Sequence, residues 1–326
     1  MTLDAQPSQP TSFWIRAGLL IMLVLVIGQF CGLGVYRALS KSYDFEMVYA
    51  GTAAWAEGRD PYRFDSYMGV FRERGGDPLG AAHSPAFLTL YPPGAYAVLC
   101  PLALLEYESA RALWVGLNLV AVVVSIVFAR RWLGVFGVEG RRAVGWLVPA
   151  VLVLGLAATA SNVRLGQTTL IIATLVFGGL TLAREQRPFL AGLGLGVAAA
   201  IKPQLAGLYV LAVLMSGHWR AVAWAALWGG GFVGVGVWRA CQIDPGWLAA
   251  LRDNLHTFQH LGPGDISSSN PRAHMMIHLE SPLRALGVPY SDEMIDMAEK
   301  DAAAQATGEA RTDISGLAER YGEDVN

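Results

Sequence analysis

Residues 17–36 form a charge-free run of 20 residues, and that run sets the first constraint on what this chain can become. As a helix it would be about 30 Å long, the thickness of the hydrocarbon core of a bilayer. Seven further apolar runs follow, at 84–105, 112–129, 143–163, 165–183, 189–201, 203–216 and 221–238. With 54% hydrophobic and only 15% charged residues, the chain departs from soluble composition, and its apolar residues are gathered in blocks. The pattern predicts an all-α polytopic membrane protein with about eight apolar segments. A cleaved signal peptide has a shorter apolar core, so the first run is expected to remain as a span. A net charge of −2 gives no electrostatic case for nucleic acid as a partner. The three cysteines, Cys31, Cys100 and Cys241, are too far apart for a disulfide framework or a metal cluster and are expected to be small buried residues.

Three regions follow from this patterning: a polar tail over 1–12, a membrane core over 13–243 that includes a long first loop at 37–83, and a hydrophilic region over 244–326. In the first loop, Asp44 and Glu46 stand where the first span would emerge into water. Phe45, Val48, Tyr49, Thr52, Trp55 and Ala56 then recur at helical spacing, which predicts a helix over 45–56 lying along the membrane surface with these residues inward. Gly58 and Asp60-Pro61 end it with a turn. Carboxylates held beside a bilayer suit chemistry on a lipid-borne substrate, and they also suit an ordinary polar loop.

The run at 84–105 contains Tyr91-Pro92-Pro93, so its spanning helix is expected to start near Pro93 after an irregular stretch. The runs at 189–201 and 203–216 are each too short to span and meet at Lys202-Pro203. The residue before a proline avoids helical geometry, so a break or hairpin at Lys202 is expected. A lysine there either faces a cavity or an anion, or snorkels to the surface. Gly192, Gly194 and Gly196 permit close helix packing. Arg164 and Gln167, beside Gly166 between two spans, fit either a phosphate or sugar site at a helix start or an ordinary charged turn. His256 with His260 and His274 with His278 have the i, i+4 spacing of metal ligands, but no acidic third ligand stands at a defined spacing, so no metal or other cofactor is expected.

Orientation is ambiguous from sequence. The positive-inside rule wants both Arg130-Arg131 and Arg141-Arg142 in the cytoplasm, which requires that one run, 84–105 or 143–163, is not a simple crossing.

Four stretches, taken in order, resemble the family 87 glycosyltransferases of the GT-C superfamily. They are Asp44 through Gly58-Arg59-Asp60-Pro61-Tyr62; Tyr91-Pro92-Pro93 with Pro101-Leu102; Arg111 to Asn118, R-A-L-W-V-G-L-N; and Gly166-Gln167 followed by Ala191-Gly192 and Ile201-Lys202-Pro203. The resemblance implies a GT-C-like helical bundle in the cell membrane, with a long first extracytoplasmic loop carrying an interfacial helix. It implies transfer of a hexose, commonly mannose, from a polyprenyl-phosphate donor to a lipid or glycan acceptor, with inversion and on the outer side. Asp44 is then the general base with Glu46 its acidic neighbour, and Lys202, Arg164, Gln167 and Tyr91 are the residues expected to bind the donor phosphate or sugar. The family carries further spans toward the C-terminus, where this chain is hydrophilic. A transporter using the break at Lys202 as a substrate path, or a non-catalytic relative, are the other classes the sequence admits.

Overall fold

The computed structural model describes residues 11–40, 42–77, 88–135 and 144–260. Residues 1–10 of the tail expected over 1–12, the Arg141-Arg142 pair, His274, His278 and the region from 261 onward lie outside them, while Thr11 and Ser12 begin a helix. The described residues form helices and turns, with no strand among them. The helices are α1 (Thr11–Gln29), α2 (Arg37–Ser40), α3 (Tyr43–Glu57), α4 (Phe64–Glu73), α5 (Pro93–Leu99), α6 (Tyr107–Val135), α7 (Val144–Gly155), α8 (Ala157–Leu165), α9 (Thr169–Arg184), α10 (Pro188–Ile201), α11 (Pro203–Met215), α12 (Trp219–Ile243) and α13 (Trp247–His260). A π-helical stretch, Phe30–Tyr36, joins α1 to α2, and a 3-10 stretch, Cys100–Leu104, follows α5.

The first run, α6 and α12 are long and apolar enough to cross a membrane, and α7 with α8 is a fourth such segment if the 57° bend between them lies within one span. Trp14, Val24, Leu25, Val123, Val235 and Trp238 are large apolar side chains that remain exposed on these helices. Apolar surface exposed on that scale needs hydrocarbon around it and not water. The chain is therefore an all-α membrane protein.

The core is organised around α10. Gly192 and Gly196 bring its backbone against α12, and a Cβ at Gly196 would stand 2.8 Å from the Ala225 carbonyl oxygen and 2.8 Å from the Gly229 nitrogen. Gly194 faces the other way, toward the Leu175 carbonyl on α9. Dispersion contacts between closely spaced backbones replace the hydrophobic effect where lipid is the solvent.

Hydrogen bonds and stacked cations fix which helix ends lie together. Arg131, near the end of α6, pairs with Glu185 just after α9 at 3.1 Å, and Arg184 stacks on Trp132 with 5.0 Å from guanidinium to ring centroid. Gln186 of the turn Glu185–Arg187 and the turn Ser216–His218 line one cleft at that same end. At the opposite end, Trp114 of α6 reaches Gly166 between α8 and α9, and Arg239 of α12 donates to the Trp55 and Ala56 carbonyls that end α3. So α6, α9 and α11 run toward the arginine-rich end, and α10 and α12 return.

Two expectations need correction. The spanning helix foreseen from Pro93 does start there, with proline in its first turn, but α5 is seven residues long and the 3-10 stretch replaces it at Cys100. Its end is held where it began. Arg74 donates to the Ala103 carbonyl at 3.0 Å, Tyr49 donates to the Leu105 carbonyl, and the Tyr107 N–H donates to the Arg74 carbonyl at 3.0 Å. Pro101 and the missing proline donors make a continuing α-helix costly at that point. Among the described residues, 88–105 thus hold no helix long enough to cross a membrane. Second, Cys31 and Cys241 are exposed and not buried, with only Cys100 partly covered.

The described residues of the first loop from 42 to 77 are packed against the bundle. Of the expected inward face of α3, Phe45, Val48, Tyr49, Thr52 and Trp55 are buried, but so are Ala50, Gly51, Ala53 and Ala54. The helix is covered on both sides instead of one. Phe45, Tyr49, Phe71 and Tyr107 make its aromatic floor, with Phe71 edge-on to Tyr107 at 4.9 Å. Gly58 closes the helix in the left-handed conformation, φ 78°. Beyond it Asp60 accepts the Tyr62 N–H at 2.8 Å and pairs with Arg63, which reaches on to Asp244 at 3.0 Å. Burial pushes the Asp60 carboxyl above its ordinary range, partly offset by the Tyr62 N–H, whereas the Gly246 N–H holds Asp244 below its own.

A leucine at position 196 has no space between α10 and α12. Gly196→Leu should lower unfolding stability in detergent by about 1–3 kcal/mol or more. Gly231→Leu, on a stretch of α12 where a Cβ meets nothing within 4 Å, should leave stability unchanged or slightly raised. Equal effects at both positions in a thermal unfolding series would contradict this packing.

Candidate functional site

Asp44 lies in the first turn of α3, where the exposed N–H groups and helix dipole favour a carboxylate. α3 can start there because Ser42 leaves helical geometry, with φ −131° and ψ 79°, and ends the preceding helix. The Ser42 hydroxyl is buried and donates to the Ala38 carbonyl at 2.7 Å. This break separates α3 from the apolar helix before it and puts Asp44 past the end of that span.

Four other segments bring polar groups to the same place. Gln167 shares a side-chain hydrogen bond with Asp44, and its amide is the donor, since an ionised carboxylate only accepts. Lys202 lies within electrostatic reach of Asp44. Its ammonium donates to the Thr169 hydroxyl at 2.9 Å and stands 5.9 Å from the centre of the Tyr91 ring. The Tyr91 hydroxyl meets the Thr168 hydroxyl at 3.2 Å. Asp44, Tyr91, Gln167, Thr169 and Lys202 are each intermediate between buried and exposed. Each comes from a helix end or a break: the start of α3, the approach to α5, the turn before α9, the first residue of α9, and the junction of α10 with α11.

Lys202 holds the break that its neighbour Pro203 imposes, with φ −137° and ψ 80°. Its N–H still closes α10 on the Ala198 carbonyl while its carbonyl accepts from Leu205 and Ala206 to open α11. The side chain leaves the junction toward Thr169 and not along the surface of α11.

Glu46 and Arg164 are not brought into this cluster. Residues two apart on a helix point about 200° from each other, so Glu46 turns away from Asp44. It is 5% exposed and accepts from the Tyr107 hydroxyl at 3.2 Å, on the side of α3 that faces α6. Arg164 sits in the last turn of α8, partly exposed, with no hydrogen bond or ion pair among the described residues. His256 lies on the exposed side of α13, and the described residues hold no group of three or more His, Cys, Asp and Glu side chains spaced for a metal.

The sequence missed the residues that aim Gln167. Gly166 ends α8 in the left-handed conformation, φ 71°, with its N–H on the Val163 carbonyl and the Gln167 N–H on the Asn162 carbonyl. A Cβ at Gly166 would stand 2.6 Å from the Phe45 Cβ. The Trp114 indole donates to the Gly166 carbonyl at 2.8 Å, and its ring stacks on Phe45 at 5.2 Å. One tryptophan thus holds the neighbours of both Asp44 and Gln167. Thr168 and Thr169 were overlooked as well, although two threonines at a helix start after Gly-Gln are a visible polar signal in an apolar run.

Gly166→Ala would strain both the backbone and the Phe45 contact, costing about 1–3 kcal/mol of unfolding stability. Trp114→Phe keeps the ring and leaves the Gly166 carbonyl without its donor, costing about 1–3 kcal/mol. Because both changes disturb one contact, the double variant should lose less than the sum. Additive losses in a detergent unfolding cycle would show that the two residues act separately.

The family model described as glycosyltransferase family 87 matches residues 89–287, more than half of the chain. Among curated proteins and solved structures, none matches it. The matched region takes in Tyr91, Trp114, Gly166, Gln167 and Lys202, and leaves Asp44 to be placed by the geometry alone. An apolar helical bundle with a polar cluster at its breaks, matched over this length by one family, belongs to that family: the chain is a member of glycosyltransferase family 87.

Proposed function

We propose that this protein is an integral membrane hexosyltransferase that moves mannose from a polyprenyl-phosphate donor to a hydroxyl of a lipid or glycan acceptor, with inversion. The observation that supports the reading is that one carboxylate, Asp44, lies within electrostatic reach of one ammonium, Lys202, with Gln167 hydrogen-bonded to the carboxylate and Thr169 and Tyr91 beside the ammonium. A single displacement at a sugar carbon needs a base on the attacking hydroxyl and cationic support for the departing phosphate. Asp44 takes the acceptor proton while the oxygen attacks the anomeric carbon. The bond from that carbon to the phosphate oxygen breaks on the opposite face, and Lys202 stabilises the phosphate that leaves. The Gln167 amide holds one carboxylate oxygen of Asp44 and leaves lone pairs for the hydroxyl. Tyr91 and Thr169 offer hydroxyl groups to sugar or phosphate. In this reading Glu46 supports α3 against Tyr107 and accepts no proton, and Arg164 stays outside the reaction.

The arrangement of charge supports an active site on the extracytoplasmic side. Arg130, Arg131, Arg184, Arg187 and Arg220 fall at the end of the bundle away from Asp44, where the positive-inside rule places the cytoplasm. With 84–105 making no crossing, an inner N-terminal side and an outer first loop are consistent with the alternating directions of α6, α7–α8, α9, α10, α11 and α12.

In membranes supplied with labelled polyprenyl-phosphate mannose, Asp44→Asn should keep donor binding while transfer falls by about 10²–10⁴, the range such a base contributes. Glu46→Gln should lose less. Native transfer by Asp44→Asn refutes the base.

Lys202→Met removes a charge that apolar surroundings disfavour, so the fold should persist while donor binding weakens. Unchanged binding and transfer would remove the lysine from the mechanism. Label that changes leaflet without reaching an acceptor would instead favour a lipid-moving protein.

A further inference from the structure

At the end of the bundle away from Asp44, Gln186 and Pro188 on one side and residues 216–221 on the other line a cleft of about 440 Å³. Its lining is mixed: Gln186, Ser216, His218 and Arg220 are its polar and cationic residues, and Ala183, Pro188, Trp219 and Ala221 its apolar ones. Trp219 and Arg220 are first-turn residues of α12, whose N–H groups have no acceptor within the helix. Arg184 and Arg187 flank Glu185-Gln186 and are exposed.

The local charges do not cancel. Glu185 is the one acid in the turns Glu185–Arg187 and Ser216–His218, and Arg131 already engages it. Arg184 lies over the Trp132 ring and Arg220 over the Trp219 ring, arrangements that orient a guanidinium without neutralising it. Among the described residues neither Arg187 nor Arg220 has a carboxylate partner. Trp219 in the lining is 62% exposed, and the residues next to the lining in sequence include two more exposed apolar side chains, Met215 at 80% and Phe189 at 44%. Free phosphate would use the cations and ignore these side chains. A phosphate attached to acyl chains uses both.

We propose that this cleft binds the headgroup of an anionic phospholipid, with its phosphate on Arg220 in the lining and on Arg187, which stands between the lining residues Gln186 and Pro188, and its chains along Trp219 and the adjoining Phe189 and Met215. Guanidinium groups suit this partner because they pair with phosphate oxygens through two parallel hydrogen bonds. The volume lies in the range of small-molecule sites and accommodates a glycerophosphate headgroup. The site is independent of sugar transfer and of the direction in which the catalytic cluster faces.

The test uses the full chain in nanodiscs, one set of phosphatidylcholine and one containing phosphatidylglycerol, with bound lipid counted by native mass spectrometry after mild delipidation. Wild type should retain phosphatidylglycerol over phosphatidylcholine, and Arg187→Gln/Arg220→Gln should lose that preference by about tenfold, equal to about 1.4 kcal/mol. Arg187→Lys/Arg220→Lys keeps the charge and should retain part of it, and Arg59→Gln, at the other end of the bundle, should retain all of it. Added glycerol phosphate or inorganic phosphate should displace the lipid poorly. Equal retention of both lipids by wild type overturns the proposal, as does an unchanged preference in the double glutamine variant. Displacement by soluble phosphate at low concentration would overturn the lipid assignment and leave a phosphate site.

Discussion

The approach of α10 to α12 through Gly192 and Gly196 fixes almost everything else in this bundle. With no side chain between them, the two backbones settle at contact distance, and the end of α10 can only arrive beside the start of α9. Lys202 is therefore delivered to Thr169, and from there into reach of Asp44. A bulkier stripe would move that junction outward and leave the ammonium facing lipid. The cationic half of the cluster depends on a packing contact made entirely by residues without chemistry of their own.

How much of this was legible in the sequence depended on the range of the interaction. The eight apolar runs were readable because span length and the absence of charge are local properties, and the break at Lys202 because Pro203 restricts the residue before it. The helix after Asp44 was readable by its spacing, but its burial was not: Ala50, Ala53 and Ala54 look like the solvent side of an amphipathic helix until α4, α5 and α6 cover them. The run at 84–105 was misjudged in part because its length is that of a span. What stops it, Arg74 on the Ala103 carbonyl and Tyr49 on the Leu105 carbonyl, lies tens of residues away in the sequence.

The site divides along the same line. Asp44, Gln167, Lys202 and Tyr91 were each singled out as polar residues at helix ends in an apolar chain, and the fold brings these four together. Glu46 was grouped with Asp44 by proximity in sequence, yet helical geometry sends residues two apart to different sides. Trp114 was visible only as part of a stretch without an assigned role. Its work is done through a backbone carbonyl of Gly166, an acceptor every residue carries, so no pattern of side chains pointed to it.

The π-helical stretch Phe30–Tyr36 has a consequence for how the first helix meets the loop. A helix that winds for several residues with i to i+5 hydrogen bonds takes more residues per turn than its α-helical flanks. The chain leaving it is rotated relative to an unbroken α-helix of the same length. Here that offset sits at the approach to α8, where a Cβ at Gly34 would stand 3.5 Å from the Ala160 Cα. The azimuth at which Asp44 enters the cluster thus depends on winding inside the apolar segment as well as on the break at Ser42.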